Sequence, residues 1–213
     1  MIISPGRGYV FVHIPKTGGT SLTLALEARA KADDIIIADT PKGTRRRQRV
    51  AKLTAPGRLW KHSRFSDIDG MAELPEPAFV FTLVRNPWDR VVSLYHWARE
   101  QSFDHPMIRA AKKHEFEGFL ADPGMQTALA RDAAHRYVTD RAGQLRCTAF
   151  IRLEHLATDI APLEYHLGFQ LELPHANASD HPPAAALYTR ETRDLIARLF
   201  ADDIQRFGYA FPG

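Results

Sequence analysis

Cysteine is almost absent from this chain of 213 residues, and that scarcity limits the chemistry available to it. Cys147 is the single cysteine, so the sequence contains no internal disulfide and no site that binds a metal through several thiolates. Because the thiol lies in the apolar run 147–151, the sequence favours a buried and inert side chain over a nucleophile.

Long hydrophobic runs are also missing. No apolar stretch approaches the length of a membrane-spanning helix, and residues 1–7 lack the basic-then-apolar pattern of a leader segment. Hydrophobic residues make up 45% and charged residues 25% of the chain, as in soluble globular proteins, and a net charge of +3 is too small to imply a nucleic-acid partner. We therefore expect a cytoplasmic protein that folds as a single domain over residues 1–213.

Acidic residues are missing from residues 40–64, where nine basic residues occur. Such a stretch is either a solvated connection or a surface that receives an anionic substrate, and the sequence leaves both readings open. Gly43, Pro56 and Gly57 predict that the stretch consists of loops and short helical pieces. The basic residues are Lys42, Arg45, Arg46, Arg47, Arg49, Lys52, Arg58, Lys61 and Arg64.

Short apolar runs that alternate with helix-forming segments dominate the rest of the chain. This alternation predicts an α/β fold with a parallel sheet, in which ligands bind beyond the carboxyl ends of the strands. The predicted strands are 9–14, 34–38, 78–84 and 147–153. The predicted helices are 20–31, 65–74, 86–101, 115–120, 127–138, 159–168 and 189–206.

The turn between the first predicted strand and helix carries an anion-binding pattern, Pro-Lys-Thr-Gly-Gly-Thr-Ser at residues 15–21. Gly18 and Gly19 allow a tight turn and a close approach of the backbone to a ligand, because they carry no Cβ. The N–H groups that follow point out of the first helical turn, where the helix dipole favours an anion. Lys16 adds a positive charge, so the segment predicts a phosphate or sulfate site.

A second pattern follows the predicted strand 78–84. Arg85 stands at the strand end, and Asn86 with Pro87 predicts the start of a helix. Ser93 lies seven residues beyond Asn86 on the same helical face, so the guanidinium and the hydroxyl can converge on one phosphate. Taken alone, the pattern is explained more simply by an ion pair of Arg85 and by a small residue packed against the sheet.

Together, the two patterns resemble the donor-binding motifs of sulfotransferases that use 3′-phosphoadenosine 5′-phosphosulfate (PAPS). Residues 15–21 resemble the 5′-phosphosulfate loop, and residues 85–95 resemble the 3′-phosphate motif. The resemblance is closest to the carbohydrate-type branch, including bacterial members, and weakens after residue 95. It implies a P-loop-like three-layer domain with a central parallel sheet flanked by helices. It also implies sulfuryl transfer to an acceptor hydroxyl, with adenosine 3′,5′-bisphosphate (PAP) as product and no metal.

The resemblance also implies which residues hold the donor. The 3′-phosphate would be held by Arg85 with Ser93, and the 5′-phosphosulfate by the first motif. The adenine contacts fall outside the matching motifs; the loop 174–180, with Asn177 and Ser179, is a candidate, and a solvated turn is its simpler explanation. The phosphosulfate-binding residues are Lys16, Thr17, Gly18, Gly19, Thr20 and Ser21.

Sulfuryl transfer needs a donor for the leaving phosphate oxygen and a base for the acceptor hydroxyl. Lys16 can serve the leaving oxygen without a metal. We expect His62 to be the base, since the resemblance places a catalytic histidine near this position in several glycan sulfotransferases. Lys61 and Arg64 should lower the pKa of His62, yet a neutral imidazole still accepts a proton at pH 7. His96 and Glu100 are the reserve candidates, and His13 is a poorer one because it lies in the first predicted strand.

The acceptor and two alternative functions stay open. The basic stretch 42–64 lies beside His62 and would suit an anionic glycan, while a small hydroxylated metabolite or a lipid head group is also compatible. One alternative is a small-molecule kinase with a variant phosphate loop, for which Asp39 is the best available Mg²⁺ ligand. The other is a module that binds an anionic polymer, which leaves the motifs at Lys16 and Arg85 unexplained. The sequence does not predict an oligomeric state.

Overall fold

The computed structural model describes residues 1–174 and 183–212. Asn177 and Ser179, proposed above to close over a nucleotide, lie outside the described residues. Within the described chain, residues 1–84 and 134–174 form one compact unit, and residues 85–133 and 183–212 form another. The single domain over residues 1–213 remains a prediction.

The first unit is built on a mixed sheet with strand order β3-β1-β2-β4-β5. Strands β2, β4 and β5 run parallel, whereas β1 is antiparallel to both of its neighbours. The predicted α/β fold with a central parallel sheet is therefore confirmed, with β1 as the antiparallel exception. The described strands are β1 (Ile2–Ser4), β2 (Tyr9–Val12), β3 (Ile35–Ile36), β4 (Phe79–Val84) and β5 (Ala149–Arg152).

The remaining regular structure is mostly helical. The first helices of the first unit are α1 (Gly19–Ala28), α2 (Pro41–Val50) and α3 (Phe65–Ile68). The helices of the second unit begin with α4 (Pro87–Glu100), α5 (Pro106–Lys113), α6 (Phe116–Ala121) and α7 (Pro123–Ala130). The chain then returns to the first unit with α8 (Leu156–Asp159) and α9 (Ala161–Leu167), and ends in the second with α10 (Arg190–Leu199) and α11 (Ala201–Phe207). No helix in the described parts is long and apolar enough to cross a membrane.

Helix α2 corrects the prediction of loops and short pieces between residues 40 and 64. The Thr40 side chain caps the helix by accepting a hydrogen bond from the Gly43 N–H (3.2 Å), and Pro41 occupies the first turn. Gly43 lies inside this helix. A Cβ at its position would collide with the Ala38 carbonyl, so the close packing requires a glycine there. The glycine is therefore a packing residue here rather than a turn residue.

The core of the first unit is aromatic at its centre. Phe11 and Phe81 stack with ring centroids 5.2 Å apart on neighbouring parallel strands, and the Tyr9 ring lies 5.7 Å from that of Phe81. Leu22 and Leu26 of α1 pack into the same cluster, as their spacing along one helical face predicts. This packing fixes the start of α1 against the sheet.

The second unit has a core of its own, formed around α4. Asn86 caps α4 as predicted, since its side chain accepts a hydrogen bond from the Trp88 N–H (3.2 Å). Pro123 lies in the first turn of α7, and Asp122 caps that helix by accepting a hydrogen bond from the Met125 N–H (3.0 Å). The helix predicted over 189–206 is interrupted at Phe200, whose φ of −114° lies outside the helical range.

Candidate functional site

The loop between β2 and α1 adopts an unusual backbone conformation. Lys16 has a φ of 64°, and it is the one residue other than glycine with a positive φ among residues 1–174 and 183–212. A side chain held in this region costs on the order of 1–3 kcal/mol and is typical of functional loops. Gly18 has a φ of 80° and precedes the first turn of α1. The loop therefore turns twice through left-handed conformations just before the helix.

The N-terminus of α1 has the features of an anion site. Gly18 has no side chain with which to cap the helix, and no acidic residue occupies the first turn. The positive end of the helix dipole is therefore not neutralised by a carboxylate from its own first turn. Gly18 is exposed and Lys16, Thr20 and Ser21 are half-buried, so these loop residues are open to a ligand.

Thr17 differs from the other predicted phosphosulfate-binding residues. Its side chain is buried, and its hydroxyl donates a hydrogen bond to the Ile14 carbonyl (2.9 Å). The hydroxyl therefore braces the loop from the inside. What Thr17 offers a ligand directly is its backbone N–H.

Gly19 is required by a close contact with His13. A Cβ at this position would overlap the His13 ring, with Cγ at 3.1 Å and other ring atoms closer still. His13 is 8% exposed. Its ring contacts Gly19 of the loop 15–21, hereafter the anion loop, and the ring of His62. The start of α1 is thus held directly against an imidazole.

His62 lies in the connection between α2 and α3 and is anchored to the same residue. Its Nδ1 lies 2.8 Å from the His13 carbonyl oxygen, and the two imidazole rings meet edge to face at 4.7 Å. Since a carbonyl only accepts hydrogen bonds, Nδ1 must carry the proton. In the neutral ring Nε2 is therefore the nitrogen with a lone pair, as a general base requires.

The pKa of His62 is lowered to about 4, mainly because burial penalises the charged ring. The hydrogen bond to the His13 carbonyl opposes this effect, and the positive charge of Lys61 adds to it, as the sequence predicted. Arg64 is not among the causes; its guanidinium lies over the Tyr137 ring at 5.4 Å. Burial also holds the pKa of His13 well below its ordinary value. Both rings are thus neutral at pH 7.

Two further side chains lie beside His62. The Trp60 ring meets the imidazole edge to face at 5.2 Å. Lys61 donates a hydrogen bond to the Asp39 carboxylate (2.6 Å). Asp39, the candidate Mg²⁺ ligand of the kinase alternative, is thus engaged in an ion pair. Among residues 1–174 and 183–212, no group of three or more His, Cys, Asp and Glu side chains could hold a metal ion.

The second unit carries the other predicted donor-binding residues. Arg85 directly follows β4 and is half-buried, and Ser93 lies on α4 with 2% of its surface exposed. Arg90, between them, is buried and tied to Asp132 through the carboxylate (2.5 Å) and the backbone carbonyl (2.9 Å). This arginine therefore has a structural role.

The reserve bases have surroundings that differ from those of His62. His96 lies on α4 with its ring 5.3 Å from that of Tyr95, and Glu100 is an exposed residue in the last turn of the same helix. His13 is the buried partner of His62, and its contribution is a backbone carbonyl. Sequence reasoning missed that carbonyl, because 49 residues separate the bonded groups and no local pattern marks the pairing.

Comparisons with known proteins agree with this fold. A family model described as the sulfotransferase family matches residues 1–210. Among solved structures, the chain is similar to mouse sulfotransferase SULT7A1 complexed with PAP. The TM-score is 0.52 at 13% sequence identity, and the alignment covers 95% of this chain and 87% of that chain. At that identity the likeness concerns the fold, and it confirms the predicted P-loop-like architecture. A sequence search of curated proteins finds no significant match.

Proposed function

The chain belongs to the sulfotransferase family, and from that premise we propose that it transfers a sulfuryl group from PAPS to a carbohydrate hydroxyl, with His62 as the base. The observation that carries the choice of base is the 2.8 Å contact between Nδ1 of His62 and the His13 carbonyl. It leaves Nε2 unprotonated in the neutral ring. His13 also contacts Gly19 of the anion loop, so the same residue positions both the proposed base and the start of α1.

The loop residues Lys16 to Ser21 hold the 5′-phosphosulfate in this proposal. The uncapped N-terminus of α1 and the absence of a Cβ at Gly18 and Gly19 favour a bound anion there. Arg85 and Ser93 hold the 3′-phosphate. Arg85 is chosen because it directly follows β4 and begins the motif at residues 85–95.

Bound PAPS supplies the sulfuryl group: the acceptor oxygen bonds to sulfur while the bond from sulfur to the phosphate oxygen breaks, and PAP leaves with that electron pair. His62 takes the proton of the acceptor hydroxyl at Nε2. Lys16 donates a hydrogen bond to the oxygen on which negative charge develops. The carbonyl of His13 keeps the His62 ring in the orientation that presents Nε2.

The low pKa of His62 is compatible with this role. A pKa of about 4 keeps the imidazole neutral, and so able to accept a proton, throughout the neutral range. Anionic groups bound next to an imidazole raise its pKa, because they favour the charged form. We therefore expect His62 to become a stronger base when the donor occupies the loop.

Calorimetry with nucleotides tests the donor assignment. The protein is titrated with PAP, with ADP, and with ATP plus Mg²⁺. We expect metal-independent binding of PAP that is tighter than binding of either other nucleotide. We also expect Arg85→Ala to weaken PAP by about tenfold or more, the worth of a charge-assisted contact, while ADP affinity changes little.

A matched control separates a specific contact from a change in net charge. Arg198 is an exposed arginine of the same unit, and Arg198→Ala should leave PAP affinity unchanged. An equal loss of PAP and ADP affinity in Arg85→Ala would remove Arg85 from the 3′-phosphate. A preference of the wild-type protein for ATP with Mg²⁺ would contradict the donor itself.

A further inference from the structure

The segment 208–212, which follows α11 in the second unit, packs against the start of α4. Gly208 ends α11 in a left-handed conformation with a φ of 68°. The Ala210 carbonyl then accepts a hydrogen bond from the Asn86 side chain (2.8 Å), although 124 positions separate the two residues. Neither the proposed donor-binding residues nor the proposed base includes any part of this segment.

The Asn86 side chain is held at both ends of its amide. Its oxygen accepts the hydrogen bond from the Trp88 N–H that caps α4, and its nitrogen donates to the Ala210 carbonyl. Only 8% of the residue is exposed. Aspartate caps a helix as well as asparagine does, but a carboxylate has no N–H to donate to the Ala210 carbonyl. The second hydrogen bond therefore explains why this cap is an asparagine.

Trp88, in the first turn of α4, is fixed by two further hydrogen bonds. Its indole Nε1 donates to the Arg193 carbonyl of α10 (3.1 Å), and its own carbonyl accepts from the Tyr188 hydroxyl (3.0 Å). The residue is 4% exposed. Three hydrogen bonds from distant parts of the second unit thus converge on residues 86 and 88.

Phe211 packs among the same side chains. Its ring meets the rings of Trp88 and Tyr188 edge to face, at 5.6 Å and 5.7 Å, in the arrangement that aromatic pairs favour. The Arg193 guanidinium lies over the Phe211 ring at 5.7 Å. This one ring therefore contacts Trp88 and both of the residues that are hydrogen-bonded to it.

The start of α4 is also where the proposed 3′-phosphate site begins. Arg85 is the residue directly before Asn86, and the buried Ser93 lies further along the same helix. Consecutive Cα atoms are about 3.8 Å apart across a rigid peptide bond, so a shift of the Asn86 backbone also displaces that of Arg85. A paired contact between a guanidinium and a phosphate depends on the geometry of both groups. The position of Asn86 should therefore affect how well Arg85 reaches the phosphate.

We propose that Phe211 is a positioning residue for the 3′-phosphate. Together with the Ala210 carbonyl it fixes Asn86 and Trp88, and through them the backbone of Arg85. The anion loop belongs to the other unit, so its contacts with the donor should not depend on Phe211. This inference rests on the proposed function for the role of Arg85.

Calorimetry with PAP, and with ADP as a nucleotide that lacks the 3′-phosphate, tests this role. In Phe211→Ala we expect PAP affinity to fall by about three- to tenfold, part of the worth of a charge-assisted contact, while ADP affinity changes little. Phe211→Tyr keeps the ring and should bind PAP like the wild type. In an Arg85→Ala background, Phe211→Ala should cause no further loss of PAP affinity, because the group that it positions is gone.

Phe103 provides the matched control. It lies in the same unit, its side chain is 54% exposed, and its ring contacts that of Trp97 at 6.3 Å. Phe103→Ala therefore removes an identical side chain without removing a contact of Asn86, and it should bind both nucleotides like the wild type. If Phe211→Ala does not fold, Tyr188→Phe takes its place. This variant deletes only the hydroxyl that is bonded to Trp88, and it should weaken PAP more than ADP.

Three results would overturn the role of Phe211. They are wild-type PAP affinity in Phe211→Ala, an equal loss of PAP and ADP affinity, and the same loss of PAP affinity in the wild-type and Arg85→Ala backgrounds. Wild-type PAP affinity in Tyr188→Phe would do the same where that variant is used. Failure of the proposed function has a different signature, because Arg85→Ala alone would then leave PAP affinity unchanged or would weaken PAP and ADP equally.

Discussion

The orientation of His62 depends on a carbonyl, and this choice of partner has chemical consequences. A carboxylate in the same place would carry a full negative charge and would raise the pKa of the imidazole strongly. The carbonyl of His13 is only a dipole, so it raises the pKa less. Burial therefore outweighs the hydrogen bond, and the pKa of His62 falls to about 4. The ring is held in the right tautomer without being made strongly basic.

The base is tested by a variant that keeps this hydrogen bond. In His62→Asn the side-chain amide places an N–H near the position of Nδ1, so it still donates to the His13 carbonyl, but the atom corresponding to Nε2 is gone. We expect kcat to fall by about 10²–10⁴-fold, the usual worth of general base catalysis, with PAP affinity unchanged. Steady-state kinetics with calorimetry measures both quantities.

His166 provides the matched control for this variant. Its Nε2 lies 2.8 Å from the Arg7 carbonyl, so His166→Gln also replaces a carbonyl-bonded imidazole by an amide of similar reach. This variant should transfer sulfuryl groups at the wild-type rate. Full turnover in His62→Asn would move the base to another residue.

The individual residues of the anion loop could be predicted from sequence better than their orientations. Lys16, Gly18 and Gly19 were chosen because their residue types permit a tight turn and a bound anion, which are local properties. The inward direction of the Thr17 hydroxyl follows from a contact with Ile14 that appears only when the loop is folded. Arg85 and Ser93 remain predicted phosphate contacts.

At the scale of elements, the junction of β2 and α1 depends on the contact between His13 and Gly19. Gly19→Ala should destabilise the protein by about 1–3 kcal/mol, because the new Cβ would push the His13 ring out of a closely packed position. The same displacement should disturb the carbonyl that orients His62, so we expect a lower kcat as well. Urea unfolding and steady-state kinetics measure the two effects.

The cause can be separated from a general glycine effect. Gly168→Ala introduces a Cβ at a left-handed position with φ of 74° and no neighbour within 4 Å, so it should cost stability without lowering kcat. In a His13→Ala background the added Cβ has room, and the destabilisation by Gly19→Ala should shrink to less than half. An equal cost in both backgrounds would show that the imidazole is not the obstacle.

The sequence predicts α1, β4 and α4 close to their observed bounds and fails where tertiary contacts decide whether an element forms. Strand β1 was missed because three residues are too few to show a period, and it forms only by pairing between β2 and β3. The sequence does not predict helix α2, because Gly43 indicates a break, although its position is set by packing against Ala38. Pro123 lies two residues beyond the end of α6 and is the first residue of α7, so a proline that follows one helix can begin the next.

At the scale of the whole molecule, family membership decides among the functions that the sequence left open. The match over residues 1–210 favours sulfuryl transfer over a kinase and over a polymer-binding module. Three of the nine cations in the basic stretch, which suggested a polymer, instead dock α2: Lys42, Arg46 and Arg49. The carbohydrate acceptor and the cytoplasmic location remain predictions.

The stability of the first unit should fall in mild acid, because His13 and His62 are both held neutral. Each has a folded-state pKa below its ordinary value of 6.5, so the unfolded chain binds more protons between pH 6.5 and the lower folded-state value. The stabilisation is complete above pH 6.5 and is lost as the pH falls towards 4. For His62 the loss is on the order of 3 kcal/mol at most. Arg152 lowers the pKa of Asp159 to about 2, so this carboxyl changes the free energy of unfolding only below pH 4.

Urea unfolding at pH 7.5, 6.5, 5.5 and 4.5 tests this origin of acid sensitivity. The free energy of unfolding should fall through this series in the wild-type protein, and it should fall less steeply in His62→Asn, which has no imidazole to protonate at that position. A residual slope is expected in the variant, because His13 remains and is also held neutral by burial. An unchanged slope in His62→Asn would mean that the His62 ring is not kept neutral by its surroundings.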